Sequence, residues 1–532
     1  MAFATARSLA LKGADGHVID VQVDVSPGLP TTTVVGRVDK TLSEARERVR
    51  MAINNDCGRW PATKRVTILL APADLPKGGT HYDVAIAVAV LAADKQHDDL
   101  QPEHLAGWGF IGELSVSGGL RPVPGILPMV LAAAAHGITR VCVPEPQAAE
   151  AALVPGMTVF GVRSLAQVSA VLRDVEVPEA EPVVAPSASP LATWRGEDRL
   201  ADLDLRDLDG LEDVRYAVEV AAAGGHPTML IGPRGTGKTS IAERIPSILP
   251  DLTTEQALEV TALHSVAGTL PDGSGLLRRP PWFAPHHSAT AASVLGGGTG
   301  RVRPGQVSLA HHGVLFLDEF PHFRTDVIEA MRQPLESGEV TIARGEESAT
   351  YPARSLVVLA ANPCPCGNFH GLSGGGCDCS EVQRLHYRRK LTGPILDRVD
   401  IWMEVRPQTS GGGSFGPAPE SSADVRARVT EARARQARRF RHCTWLLNSS
   451  CPGPVLTEHW PLEPEGQHLV DTELSTGRLT RRGLTRVQRL AWTVADCAGV
   501  DRPGREEAEI ALALRSDDSS RSLPARVVRV AS

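Results

Sequence analysis

The stretch Met229-Leu-Ile-Gly-Pro-Arg-Gly-Thr-Gly-Lys-Thr239 decides how this chain is read. Three apolar residues run into Gly232-Pro233-Arg234-Gly235-Thr236-Gly237-Lys238-Thr239, and Ser240 to Arg244 reads as helix. Strand, glycine-rich loop and helix in that order, with G-x-x-x-x-G-K-T complete, predict a phosphate-binding loop. Glycines let backbone N–H groups turn inward and approach a phosphate with no Cβ in the way. The N-terminus of the following helix adds partial positive charge. Gly232 to Ser240 are therefore the expected ATP contacts. Lys238 supplies a full charge to the β- and γ-phosphates, and the Thr239 hydroxyl is a Mg²⁺ ligand.

Downstream, Val314-Leu-Phe-Leu-Asp-Glu319 is an apolar strand that ends in two acids, with Asp318 80 residues after Lys238. A buried strand of this kind delivers Asp318 to the Mg²⁺ shell and lets Glu319 polarise the attacking water. The bland alternative is a strand ending in a solvated acid pair. A second buried strand, Leu356-Val-Val-Leu-Ala-Ala-Asn362, ends in an amide. At this place in an AAA+ ATPase, sensor 1, an Asn helps to position the lytic water. The alternative for Asn362 is a simple turn before Pro363.

The chain has 532 residues, long enough for about three domains. Hydrophobic residues make up 42%, sufficient for globular cores, and the formal charge of −7 argues against a wholly basic nucleic-acid coat. The apolar run Val84 to Ala93 is too short to span a bilayer, and the N-terminus lacks a secretory pattern. A cytoplasmic protein with no membrane partner is expected. Nine cysteines in a chain of this length fit a reducing compartment.

Periodicity and turn residues divide the chain into an α/β unit at 1–175, a Pro-rich linker at 176–202 and an α/β core at 203–407. A Gly/Ser/Pro join at 408–421, a helical part at 422–500 and a polar tail at 501–532 follow. In the first unit, Gly16–Val25, Arg65–Ala71 and Arg140–Pro144 read as strands, and Tyr82–Leu91 as a buried helix. Thr341 to Pro352 reads as a hairpin whose turn follows Arg344. Cys364-Pro-Cys366 and Cys377-Asp-Cys379 form C-x-C…C-x-C across a glycine-rich loop containing His370. Four thiolates so close suit a structural, tetrahedral Zn²⁺. A redox-sensitive pair or four reduced thiols are the rivals. The helix that carries Arg426, Arg428, Arg433, Arg435, Arg438, Arg439 and Arg441 is either a DNA or subunit surface or a solvated face.

Longer runs carry a family resemblance. Leu75-Pro-Lys-Gly-Gly-Thr-His-Tyr-Asp83 and Gly112-Glu-Leu-Ser-Val-Ser-Gly-Gly-Leu120 resemble the Lon-protease catalytic fold as found in ComM-like (YifB-type) proteins. The peptidase dyad does not carry over: its serine position falls on or near His81, and its lysine position near Leu127. Thr80 and Lys77 stand elsewhere, so the domain reads as proteolytically inactive. Further runs resemble ComM-like members of the magnesium-chelatase AAA+ superfamily. They include His264-Ser-Val-Ala-Gly268, Ala284-Pro-His-His287, Arg303-Pro-Gly-Gln-Val-Ser-Leu-Ala-His311 and Ala360-Ala-Asn-Pro-Cys-Pro-Cys-Gly367. The resemblance covers most of residues 1–500; Arg234 departs from it, standing where Pro is usual.

The resemblance implies an inactive Lon-like domain, a P-loop AAA+ core in three α/β layers and a C-terminal helical lid. It implies a ring, usually hexameric, similar to DNA helicases that drive branch migration during recombination of incoming DNA. Gly393 to Asp400 resembles the arginine-finger segment of magnesium-chelatase subunit I, which makes Arg398 the finger given to a neighbouring subunit. Arg482 matches sensor 2, an arginine at a helix start in a lid over the phosphates, with Arg481 and Arg486 as rivals. DNA would meet the hairpin at Arg344 and the Gly-rich insertion at Arg301 and Arg303, gripped by its backbone. The alternative for those loops is packing between subunits. A chelatase-type or protein-remodelling ATPase is the competing function, and an ATP-dependent peptidase is a third.

Overall fold

A computed structural model describes residues 3–36, 40–72, 75, 77–94, 100–183, 200, 202–208, 210–270, 273–298, 302–344, 347–369, 376–390, 395–406, 419–515 and 523. Most of the expected linker at 176–202, the join at 408–418, Arg301, His370 and the end of the tail lie outside the described residues.

The first unit is a seven-stranded mixed sheet. Its order is Thr31–Val35, Arg65–Ala71, Asp15–Ser26, Phe3–Lys12, Trp108–Phe110, Arg140–Pro144 and Thr158–Val162. Period-two alternation buries Ile19, Val21, Val23 and Val25 along the long second strand. The helix Asp83–Ala93 has no polar side, and all eleven of its residues are buried. It packs on the strands Phe3–Lys12 and Asp15–Ser26. This is the Lon-like α/β arrangement expected for the domain.

The second unit is a five-stranded parallel sheet in the order Trp282–Phe283, Val314–Leu317, Leu356–Ala361, Thr228–Ile231 and Ile401–Glu404. Its central strands are apolar throughout because helices cover both faces. Leu230, Phe316, Val358 and Ala360 face one core, while Met229, Leu315, Leu317 and Leu359 face the other. The C-terminal helices Ser422–Arg439 and Arg481–Ala498 continue the first of these cores. No helix among the described residues is long and apolar enough to cross a membrane.

Two readings need correction. The helical part does not stop near residue 500. A helix at Arg505–Arg515 buries Ala508, Ile510, Ala511 and Leu514 against Pro464–Ser475 and Arg481–Ala498. The basic helix is also largely satisfied from within. Arg428 reaches Glu219 and Glu420, Arg433 the Ala222 carbonyl, Arg439 Asp496, and Arg426 Asp251.

The two sheets meet through the helix Thr254–Ala267. Gly125 N–H donates to the Ser265 carbonyl at 3.2 Å, and Leu11 joins Val266, Val302, Ala349 and Tyr351 in a small apolar cluster.

Candidate nucleotide site

The carboxyl ends of the parallel strands Thr228–Ile231, Val314–Leu317 and Leu356–Ala361 bring Lys238, Asp318, Glu319 and Asn362 together, where open α/β sheets bind ligands. Gly235 and Gly237 take φ of +77° and +85°, which lets the loop wrap without a Cβ penalty. Lys238 opens the helix Lys238–Ile248 and is 8% exposed. Its ammonium donates to the Gly232 and Pro233 carbonyls, both at 2.7 Å, and to Asn362 Oδ1 at 3.2 Å. Burial holds its pKa below the ordinary lysine value, against the pull of Asp318 and Glu319. Thr239 Oγ1 donates to Asp318 Oδ2 at 2.9 Å. Octahedral Mg²⁺ with oxygens at about 2.1 Å separates neighbouring ligands by about 2.9 Å, so these two oxygens fit one ion.

Glu319 has φ of +50°, a left-handed conformation uncommon for a residue with a side chain. It donates its own N–H to Asp318 Oδ1 at 2.8 Å. Its carboxylate meets His287 Nδ1 at 3.2 Å and His322 Nδ1 at 3.6 Å. Neither histidine was singled out from the sequence; His287 sits inside a quoted run that gave no hint of a role.

The arginines are elsewhere. Arg398 forms an ion pair with Glu336, and Arg486 bonds to Asp400 and to the Arg398 carbonyl. Arg332, Arg482 and Arg486 lie near enough to Arg398 to act on its charge. The charged groups acting on Lys238 are Asp318, Arg234 and Glu319. Arg482 thus acts on the same side chain as Arg332 and Arg486.

Comparison with known proteins agrees with this architecture. The family described as "Magnesium chelatase, subunit ChlI" matches residues 204–412, "Subunit ChlI of Mg-chelatase" residues 21–147, and "Magnesium chelatase, subunit ChlI C-terminal" residues 419–515. Protein Rv2897c of Mycobacterium tuberculosis is 42% identical, over 98% of this chain and 100% of its own. YifB of Escherichia coli is 38% identical, over 97% and 98%. Competence protein ComM of Haemophilus influenzae is 36% identical, over 94% of each chain.

The chain belongs to the ComM/YifB-type, magnesium-chelatase-like family. It is an AAA+ ATPase of ComM type, and the family implies ATP and Mg²⁺.

In this ComM-type chain the cysteines converge. Cys364 Sγ lies 3.3 Å from Cys366 Sγ and 3.7 Å from Cys377 Sγ, and Cys366 Sγ lies 3.6 Å from Cys377 Sγ. Cys379 Sγ accepts from Cys366 N–H at 3.4 Å. A tetrahedral site with Zn–S of about 2.3 Å has S–S edges of about 3.8 Å, so the donor set fits zinc. The loop also touches the nucleotide site: a Cβ on Gly367 would lie 2.9 Å from Arg234 Cγ. That contact gives the unusual Arg234 a place.

A second cluster, Glu259, His311 and His312, does not fit a metal. Glu259 Oε2 meets His311 Nε2 at 3.1 Å and His312 Nε2 at 2.8 Å. But His311 Nδ1 accepts the Arg354 N–H at 3.0 Å, so the neutral ring carries its proton on Nε2, the atom a metal would need. Burial pushes His311 down to about 4, which keeps it neutral.

The hairpin forms as expected from Glu339–Arg344 and Glu347–Pro352, with Arg344 opposite Glu347. Arg303 is exposed on a short strand beside Gly297. In the Lon-like domain, Lys77 is buried and donates to the Pro72 carbonyl and, at 2.9 Å, to the Leu75 carbonyl.

Proposed function

We propose that this chain is a cytoplasmic, hexameric ring ATPase that drives branched DNA during recombination or DNA uptake. The observation that carries the ring is that Arg398 pairs with Glu336 and with none of the converged residues. Lys238, Thr239, Asp318, Glu319 and Asn362 converge in one place, and Arg398 turns to Glu336 instead. A finger that serves a neighbour accounts for both. The DNA reading is supported by relatedness to a competence protein, by the exposed Arg303 and by the formation of the hairpin.

In this reading Lys238 and the loop N–H groups bind the β- and γ-phosphates. Thr239 and Asp318 hold Mg²⁺, which neutralises phosphate charge when bound. Glu319 accepts the proton of the attacking water, Asn362 orients that water, and Arg398 of the adjacent protomer meets the charge that develops on the γ-phosphate. Arg482 acts beside Arg398. Cys364, Cys366, Cys377 and Cys379 hold a structural Zn²⁺ that fixes the loop after Asn362. Arg301, Arg303 and Arg344 track the DNA backbone.

The matching family descriptions also favour a second reading, a chelatase-like motor acting on a protein partner. ATP turnover measured with and without single-stranded, duplex and four-way-junction DNA separates the two. DNA stimulation, abolished in Lys238→Ala and Glu319→Gln, is expected. Turnover indifferent to every DNA but raised by a folded protein would replace the first reading with the second.

A further inference from the structure

Arg332 and Glu336 sit one turn apart on the helix Arg332–Ser337, so they share a face. Glu336 pairs with Arg398, whose side chain is only 16% exposed while that of Glu336 is 57% exposed. The carboxylate therefore lies on the solvent side of the guanidinium. Arg332 Nε is buried with no hydrogen-bond partner. Arg482, exposed in the first turn of the helix Arg481–Ala498, forms no ion pair among the described residues. Arg486 differs, being neutralised by Asp400. Of Arg332, Arg398 and Arg482, only Arg398 is thus paired with a carboxylate among the described residues, and Arg332 and Glu336 border a cavity of about 670 Å³ that Gln333 and Ile342 also line. Burial, then Arg332, Arg482 and Arg486 in turn, hold the Arg398 guanidinium below its ordinary value. Like charges gathered this way repel, and a multiply charged anion relieves the repulsion better than one carboxylate can.

We propose that Arg332, together with Arg398 and Arg482, contacts the terminal phosphate of the ATP bound to the neighbouring subunit, and that Glu336 is the resident carboxylate which this phosphate displaces. The proposal rests on the ring reading above and adds two residues to it. Glu336 keeps Arg398 occupied while no neighbour is charged with ATP. Its displacement couples assembly of the seam to nucleotide.

Mixing of full-length variants tests this. Arg332→Ala, Arg398→Ala and Lys238→Ala are each expected to be nearly inert alone. A one-to-one mixture of Arg332→Ala with Lys238→Ala places wild-type arginines against wild-type P-loops at about a quarter of seams, and turnover should return toward that fraction. Arg398→Ala mixed with Lys238→Ala is the control for the ring itself. If the control recovers and the Arg332 mixture does not, Arg332 is not a phosphate contact across the seam and the ring reading stands. If neither recovers, the ring reading falls. Arg332→Lys, scored in the same mixture, replaces an alanine variant that does not fold; it should keep part of the activity, having charge but no fork. Glu336→Gln should raise turnover severalfold at subsaturating ATP. A fall to the Arg332→Ala level would overturn its role as a displaceable counter-charge.

Discussion

Lys77 and Lys238 are both buried, 1% and 8% exposed, and both turn an ammonium onto backbone carbonyls. Lys77 does so in the Lon-like domain, where it ties its own loop through Pro72 and Leu75. Lys238 does so at the mouth of the parallel sheet, on a loop opened by Gly235 and Gly237, with Asp318, Glu319 and Asn362 around it. The lesson is that a capped, buried lysine is common to a staple and to a phosphate binder. Its neighbours decide which it is. Carbonyls that a phosphate can replace, beside acids that can hold a metal ion and move a proton, make a site.

The sharpest break of this comparison is in turnover. Lys238→Ala should lower ATP hydrolysis by at least about 100-fold with circular dichroism unchanged. Lys77→Met should leave turnover per folded chain within about twofold. Turnover equally damaged by both would erase the distinction. Next, Cys366→Ser should reduce bound zinc from one per chain to a small fraction, read by elemental analysis. Because Arg234 rests on Gly367, it should also weaken ATP binding about tenfold. A zinc-free wild-type chain with normal affinity would remove the cluster from the surroundings of Lys238.

Stability gives the third test. Lys77→Met removes the donor to the Pro72 and Leu75 carbonyls and should cost about 1 kcal/mol in urea denaturation of the first domain. The smallest effect is in acid, and its sign differs between the domains. Burial raises Asp83 to about 6 although Arg48 bonds it at 2.9 and 3.1 Å. Its folded form binds the proton more tightly than the unfolded chain does, so the first domain gains stability as pH falls from about 6 to about 4. Burial pushes Asp400 up as well, but His226 at 2.8 Å and the nearby Arg486 outweigh it and hold it at about 2. That contribution is present above about pH 4 and is lost as pH falls toward 2. Hydrogen exchange at pH 3, 4, 5 and 6 resolves the two domains. Asp83→Asn should flatten the first profile and Asp400→Asn the second.

The sheet of the ATPase core was legible because its strands are continuous apolar runs: the runs that begin at Met229, Val314 and Leu356 read as strands and form Thr228–Ile231, Val314–Leu317 and Leu356–Ala361. Local spacing also carried the hairpin. What local spacing lacks is the far partner. Nothing near Arg398 in sequence points to Glu336, and nothing near Glu319 points to His287. The basic helix looked open because Glu219 and Asp496 arrive from other helices. The helix Arg505–Arg515 was lost in a polar composition, since its apolar residues matter only once the helices Pro464–Ser475 and Arg481–Ala498 receive them. The pairing of Arg398 with Glu336 is likewise a product of tertiary folding.

Gly13 approaches the hairpin so closely that a Cβ there would stand 2.8 Å from the Thr350 carbonyl. The opening domain is thus clamped to the root of the hairpin expected to meet DNA. A stroke of the proposed motor would have to carry the first domain with the hairpin or else shear the seam at Leu11 and Tyr351. The Lon-like domain would then serve as a flywheel, setting how far and how fast the hairpin swings.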